Sequence, residues 1–212
     1  MTKVKRKADM PVAMIPLLFG VQQLIEGVIW LSFAHHASSL NTTMTYGYSL
    51  FAFVLWPIFI PFAIRLWEPQ PRRQKTLYFF QAAGLAVGGY LLYSHTASPI
   101  TSAIVKNNIV YNNSHFFGVG VIGFYFVSTV GSCLFSSDRT LKLFGVLAFM
   151  AALVAYWVHA SAFVSIWCFF AAILSVMIYV VITRKRVEIA DYSRSLLPNR
   201  RALAAIRPAG DR

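Results

Sequence analysis

The chain has 212 residues, of which 58% are hydrophobic, 16% aromatic and 12% charged, and its net charge is +12. An average soluble domain carries about 25% charged residues, so this balance excludes an ordinary soluble fold and points to lipid. The basic residues flank apolar runs instead of gathering on one readable surface, which argues against nucleic acid and for anionic lipid headgroups as the partner.

Residues 1–10 form a basic arm containing Lys3, Lys5, Arg6 and Lys7. The apolar run that follows, 11–34, is longer than the roughly 7–15 residues of a signal-peptide core, so it is predicted to span the membrane. A spanning helix needs about 20 mostly apolar residues, and five further candidates meet or approach that length: 45–65, 76–94, 115–135, 141–158 and 162–183. Pro57 and Pro61 should kink the second span. Gly84 and Gly88 in the third, and Gly118, Gly120 and Gly123 in the fourth, read as close packing faces. The last three also match a dinucleotide fingerprint, but without the strand and acidic residue that motif requires. Between the third and fourth spans, 104–111 reads as a short hairpin turning on asparagine. The last two spans come from 41 uncharged residues between Lys142 and Arg184. As one helix these would reach about 60 Å, twice the hydrocarbon thickness, so the chain should reverse at His159-Ala160-Ser161. The tail, 184–212, is basic and loosely amphipathic, suited to a membrane surface.

Lys and Arg are retained on the cytoplasmic side of a membrane. Six alternating spans put 18 of the 19 basic residues on one face, leaving only Lys106 opposite. The expected fold is therefore an all-α, polytopic transmembrane bundle of about six helices with both termini cytoplasmic. Every acidic residue except Glu26 shares the cytoplasmic side, and all five histidines fall at the outer edge. Cys133 and Cys168 have no metal or disulfide spacing and read as small buried apolar side chains. Asn41-Thr42-Thr43 and Asn112-Asn113-Ser114 match glycosylation sequons, a pattern frequent by chance.

The sharpest candidate site is Gln22-Gln23-Leu24-Ile25-Glu26-Gly27-Val28-Ile29-Trp30. At helical spacing Gln22, Gln23, Glu26 and Trp30 share a face, which places a carboxyl about 12 Å inside the end of its span by the rise of 1.5 Å per residue. Such a group faces the protein interior and marks a functional site by default. It could carry protons, balance a bound cation, or hold helices together through the amides. A transition metal bound by His115 and His159 with Glu26, or with His35 and His36, is a further expectation, since neutral imidazole is a common ligand. The adjacent His35 and His36 diverge on a helix, and nine residues separate Glu26 from His35, so His115 and His159 are the better placed pair. No catalytic residue can be named.

Three stretches resemble an uncharacterised family of bacterial polytopic membrane proteins: Pro16 to Trp30, Ser137-Asp138-Arg139 followed by Phe144-Gly145-Val146-Leu147, and Phe163 to Ala172. The resemblance covers most of 11–183 and implies a bacterial inner membrane, so that the outer face is periplasmic. It adds Trp167 to Glu26 and Trp30 as positions of interest, and brings no activity. Members of that family open on an additional hydrophobic segment near Cys-Phe-Ser-Ala, for which nothing before Met10 corresponds; if that segment helps build the family's site, a reduced or altered site is expected here. The expected function is binding of an ion, proton or small ligand in an outward-facing intramembrane pocket, serving transport or sensing. A membrane-embedded His/Glu metal enzyme, and a noncatalytic subunit or assembly factor of a membrane complex, remain as alternatives, with a homo-oligomer or a membrane complex as the expected protein partner.

Overall fold

The computed structural model describes residues 9–112, 116 and 118–195, the segment 181–195 by its backbone alone. The start of the basic arm, His115 and the tail beyond 195 lie outside the described residues. The described chain is almost entirely helical, with one two-stranded sheet. α1 (Met10–Ala34) begins with Pro11 in its first turn, where a missing N–H costs nothing. α2 (Ser38–Ser49) passes through a π-helical segment, Leu50–Leu55, into α3 (Trp56–Trp67), giving one continuous helical run. Pro57 opens α3 and Pro61 lies inside it, and the wide π turn just before them absorbs the backbone bonds that proline cannot make. The carbonyl of Ala52 within that turn accepts a hydrogen bond of 2.6 Å from the Tyr125 hydroxyl.

This run starts at Ser38, earlier than the apolar pattern of 45–65 suggests. The polar residues Thr42 and Thr43 sit inside the helix because their hydroxyls donate to the carbonyls of Ser38 and Ser39, each at 3.1 Å. α4 (Pro71–Ala97) likewise starts ahead of its apolar part, with proline at its first turn. β1 (Thr101–Val105) and β2 (Asn108–Asn112) form an antiparallel hairpin. Its two turn residues, Lys106 and Asn107, both have positive φ (48° and 61°), as a tight hairpin turn demands. α5 (Val119–Phe126), a second π segment (Val127–Gly131) and α6 (Ser132–Phe135) form one shorter apolar run.

α7 (Arg139–His159), a 3-10 turn (Ala160–Ala162) and α8 (Phe163–Ser195) complete the chain. α7 and α8 pack along each other, and Trp167 Nε1 donates to the Ala148 carbonyl at 2.9 Å. Nineteen residues of straight helix would separate those groups by about 28 Å, so the chain reverses at Ala160–Ala162. Among the described residues, three helical stretches are long and apolar enough to cross a membrane: Met10–Ala34, Ser38–Trp67 and Arg139–Val180, the last containing that reversal. Their outward faces are apolar, with Leu17, Leu24, Phe149, Val176 and the 90% exposed Trp157 uncovered by protein, as expected where lipid is the solvent.

Small residues set the close contacts. A Cβ added at Gly84 would run into the Pro57 carbonyl oxygen, and one at Gly88 would come within 2.7 Å of Ile58 Cγ1. That pair is therefore the α3–α4 packing face the sequence suggested. Gly120 and Gly123 do not follow the expectation, because a Cβ at either would meet nothing within 4 Å. Their face of α5 lies away from the bundle, and the close contact in this run is made by Gly131 against Phe80 instead.

Candidate functional site

α1 is the central element of the site. Gln22 and Glu26, one turn apart, both point into the protein, whereas Gln23, Gly27 and Trp30 turn toward an opening. The single polar stripe anticipated from the spacing is thus divided between two environments, because α1 packs against α3 on one flank and α8 on the other.

On the inner flank Gln22 is fully buried, and its Oε1 accepts a hydrogen bond of 2.6 Å from Trp56 Nε1. Its amide nitrogen has no hydrogen-bond partner and lies beside the Cys168 thiol. Trp56 stacks on Phe19 with ring centroids 3.8 Å apart. Trp56, Phe19, Tyr125, Cys133, Trp167 and Cys168 line a small cavity whose accessible space is about 40 Å³. It is large enough for a water, but its apolar walls offer almost no polar partner, so it is suited to stay dry. Trp167 belongs to this cavity and stands away from the opening beside Glu26, and its indole is satisfied by Ala148. Both cysteines are free and buried here.

On the outer flank an open cleft of about 500 Å³ is lined by Gln23, Glu26, Gly27 and Trp30 of α1. Asn108 from the hairpin, Val158 from the end of α7, and Ser165, Ile166 and Phe169 from α8 complete it. The Glu26 carboxyl is only 5% exposed yet forms part of the cleft wall. Its Oε1 accepts a hydrogen bond of 3.1 Å from the Tyr111 hydroxyl, and Ser165, Gln23 and Tyr48 surround it. Among the described residues no Lys, Arg or His is paired with it. The amide nitrogen of Gln23 and the hydroxyl of Tyr48 are buried without hydrogen-bond partners.

The hairpin delivers Tyr111. Alternation along β2 turns Ile109 and Tyr111 inward, both buried, and Tyr111 stacks on Tyr48 of α2 with centroids 4.3 Å apart and planes 7° from parallel. A hydroxyl and amide chain fastens the first strand: Thr45 and Ser102 share a 2.8 Å hydrogen bond, Ser102 donates to Asn41 Oδ1 at 3.1 Å, and Asn41 donates to Ser32 at 3.0 Å. Burial, reinforced by the neighbouring Glu26 carboxylate, pushes the Tyr111 phenol far above its ordinary range, so it remains a donor. Tyr111, Asn108, Ser165 and Phe169 were not singled out from the sequence. The only local signal for Tyr111 was its alternation with Ile109.

The imidazoles are scattered. His35 ends α1 and His36 follows it in the left-handed conformation at φ 53°, both exposed. His159 closes α7, where its Nδ1 accepts from the Ala162 N–H at 3.2 Å and caps the reversal. His95 is buried edge-on to Tyr46, with neither ring nitrogen bonded. Among the described residues no three His, Cys, Asp or Glu side chains converge as a metal site, and His115 falls outside them.

At the opposite end of the bundle lies a second polar cluster that sequence reasoning passed over. Glu68, fully buried, accepts from the Ser137 N–H and hydroxyl, each at 2.7 Å, and from the Gln70 N–H at 3.2 Å. Arg73 donates to the Phe135 carbonyl at 2.9 Å. Asp138 caps α7 through Thr140 N–H at 2.8 Å and accepts from Trp67 Nε1 at 3.2 Å. The cluster ties the α3–α4 link to the α6–α7 link, a structural clasp in which both Glu68 carboxylate oxygens accept from protein donors.

No curated protein and no solved structure matches this chain. A family model described as a family of unknown function (DUF6629) matches residues 1–193, and the chain belongs to that family.

Proposed function

We propose that this protein is an integral membrane protein which binds a proton, ion or small ligand in a polar cleft opening toward the outer, periplasmic side of a bacterial inner membrane. Six spans with both termini cytoplasmic account for the placement of its basic residues, with Arg65, Arg73 and Arg139 near the anionic headgroups. The observation that carries the reading is the grouping of Glu26, Gln23 and Trp30 with Ser165 and Asn108 around one open cleft. A carboxyl without a cationic partner, set in low dielectric beside an entrance, is suited to a reversible charge-neutralising event, and transport or sensing would follow from it.

The test is access from outside. Ser165→Cys should react with a membrane-impermeant maleimide added to intact cells or spheroplasts, while the native Cys133 and Cys168, both buried, stay unlabelled. Labelling of Ser165→Cys only in inside-out vesicles, or only after detergent treatment, would remove the basis for an outward-facing cleft.

A further inference from the structure

The chemistry of the cleft selects among the ligands left open above, and this inference rests on that reading of the cleft as a binding site. Among the described residues its only acidic group is Glu26, which no described cation neutralises. Two aromatic side chains, Trp30 of α1 and Phe169 of α8, border the same space with exposed surface, and Val158 and Ile166 extend the apolar wall. Aromatic faces attract cations, and more strongly where water is thinned. A bare inorganic ion would leave most of a space of about 500 Å³ unfilled, whereas small-molecule sites are commonly about 300–1,000 Å³ and largely apolar, with few polar anchors. We propose that the cleft takes a monovalent organic ammonium, its charge on Glu26 and its apolar body between Trp30 and Phe169, and that the ammonium and a proton compete for the one carboxyl.

Competition follows from charge balance. The carboxyl holds either the proton or the ammonium, so binding to the protonated site releases one proton to the medium. Among the described residues, the other titratable groups facing Glu26 are Tyr48 from α2, Tyr111 from the hairpin and Cys168 from α8. All three are neutral as phenol or thiol, so they add no competing charge. Ser165 and Gln23 flank the carboxyl without titrating.

The experiment is calorimetric titration of the full chain in detergent or nanodiscs with butylammonium chloride, in buffers of differing protonation enthalpy. Binding that weakens about tenfold per pH unit on the acid side of the carboxyl's titration, with release of up to one proton, is the expected result. Butanol, the same body without charge, should not compete, and sodium should bind at least about tenfold more weakly. Trp30→Ala should weaken binding about two- to fivefold, as loss of a half-exposed cation–π contact implies. Glu26→Gln should abolish binding. Should that variant fold poorly, Glu26→Asp, which retains the charge, must keep both the binding and its pH dependence. Binding that survives in folded Glu26→Gln, that is independent of pH, or that butanol matches would overturn the proposal. If butylammonium fails to bind while Ser165→Cys is labelled from outside, the ligand class is wrong and the cleft stands. If Ser165→Cys is not labelled, the cleft itself is lost.

Discussion

Tyr111→Phe deletes one hydroxyl and leaves the ring that stacks on Tyr48 at 4.3 Å. What disappears is the 3.1 Å hydrogen bond to Glu26 Oε1, a link between the hairpin and the helix that carries the site. A hydrogen bond to a neutral acceptor contributes about 0.5–1.5 kcal/mol, and one to a charged acceptor about 1.5–3 kcal/mol. Glu26 also borders an open cleft, so water can replace part of the lost bond, and the expected destabilisation is about 1–2 kcal/mol. Reversible unfolding by SDS in mixed micelles measures it. A double-mutant cycle with Glu26→Leu should show a coupling energy of about 1–2 kcal/mol. Trypsin cleavage at Lys106, at the hairpin turn, should accelerate about five- to thirtyfold where the hairpin opens and recloses faster than it is cut, so that the rate follows the open population. The pH dependence has a definite sign. Because the folded-state pKa of Tyr111 is raised, its contribution is intact below the unfolded phenol pKa of about 10 and is lost as pH rises above it, so Tyr111→Phe should flatten the alkaline loss of stability. Additive effects of Tyr111→Phe and Glu26→Leu, within about 0.5 kcal/mol, would refute the view that this bond fixes the hairpin to α1.

Three further sets of substitutions probe the scaffold. Gly84→Ala should destabilise by about 1–3 kcal/mol, because its methyl meets the Pro57 backbone, while Gly123→Ala, which meets nothing, should be neutral or stabilising in thermal unfolding in detergent. Gln22→Leu leaves the buried Trp56 indole without an acceptor and should cost about 1–3 kcal/mol. Adding Trp56→Phe to Gln22→Leu should then cost less than Trp56→Phe does alone, read from the same unfolding curves. Glu68→Ala should cost about 2–3 kcal/mol and speed hydrogen exchange at the Ser137 and Gln70 amides, the two backbone donors it releases.

Much of the scaffold was legible because lipid imposes a simple rule: apolar runs of spanning length must be helical. The length of the run after Lys142 alone demanded the reversal found at Ala160–Ala162, and Gly84 with Gly88 announced a close crossing through the absence of side chains. Helix starts were less legible. Ser38–Thr45 is polar in composition yet helical, since its hydroxyls bond to carbonyls four residues back, a local solution that hydropathy cannot register. The reading of Gly120 and Gly123 failed for a related reason: glycine permits close approach but does not require it, and only the neighbouring helix decides.

The site divides along the same line. Glu26 stood out because an acid between amides in an apolar helix is costly wherever its partners lie, so it could be found from α1 alone. Its partners could not, since they belong to three other segments: Tyr48 lies 22 positions away, Tyr111 lies 85 and Ser165 lies 139. Each of those residues is unremarkable in its own stretch, a tyrosine in a strand or a serine in an apolar helix. Their meaning arises when the hairpin brings Tyr111 to Glu26 and Asn108 to the cleft wall. Helical spacing also could not say which of Gln22 and Gln23 faces the opening, because the two lie about 100° apart and the choice depends on whether α3 or α8 occupies each flank. Trp56 claims Gln22, which leaves Gln23 to line the cleft. The buried bond that anchors α1 thus determines which amide stands beside the carboxyl, and the orientation of the candidate site is a consequence of core packing on the opposite side of the same helix.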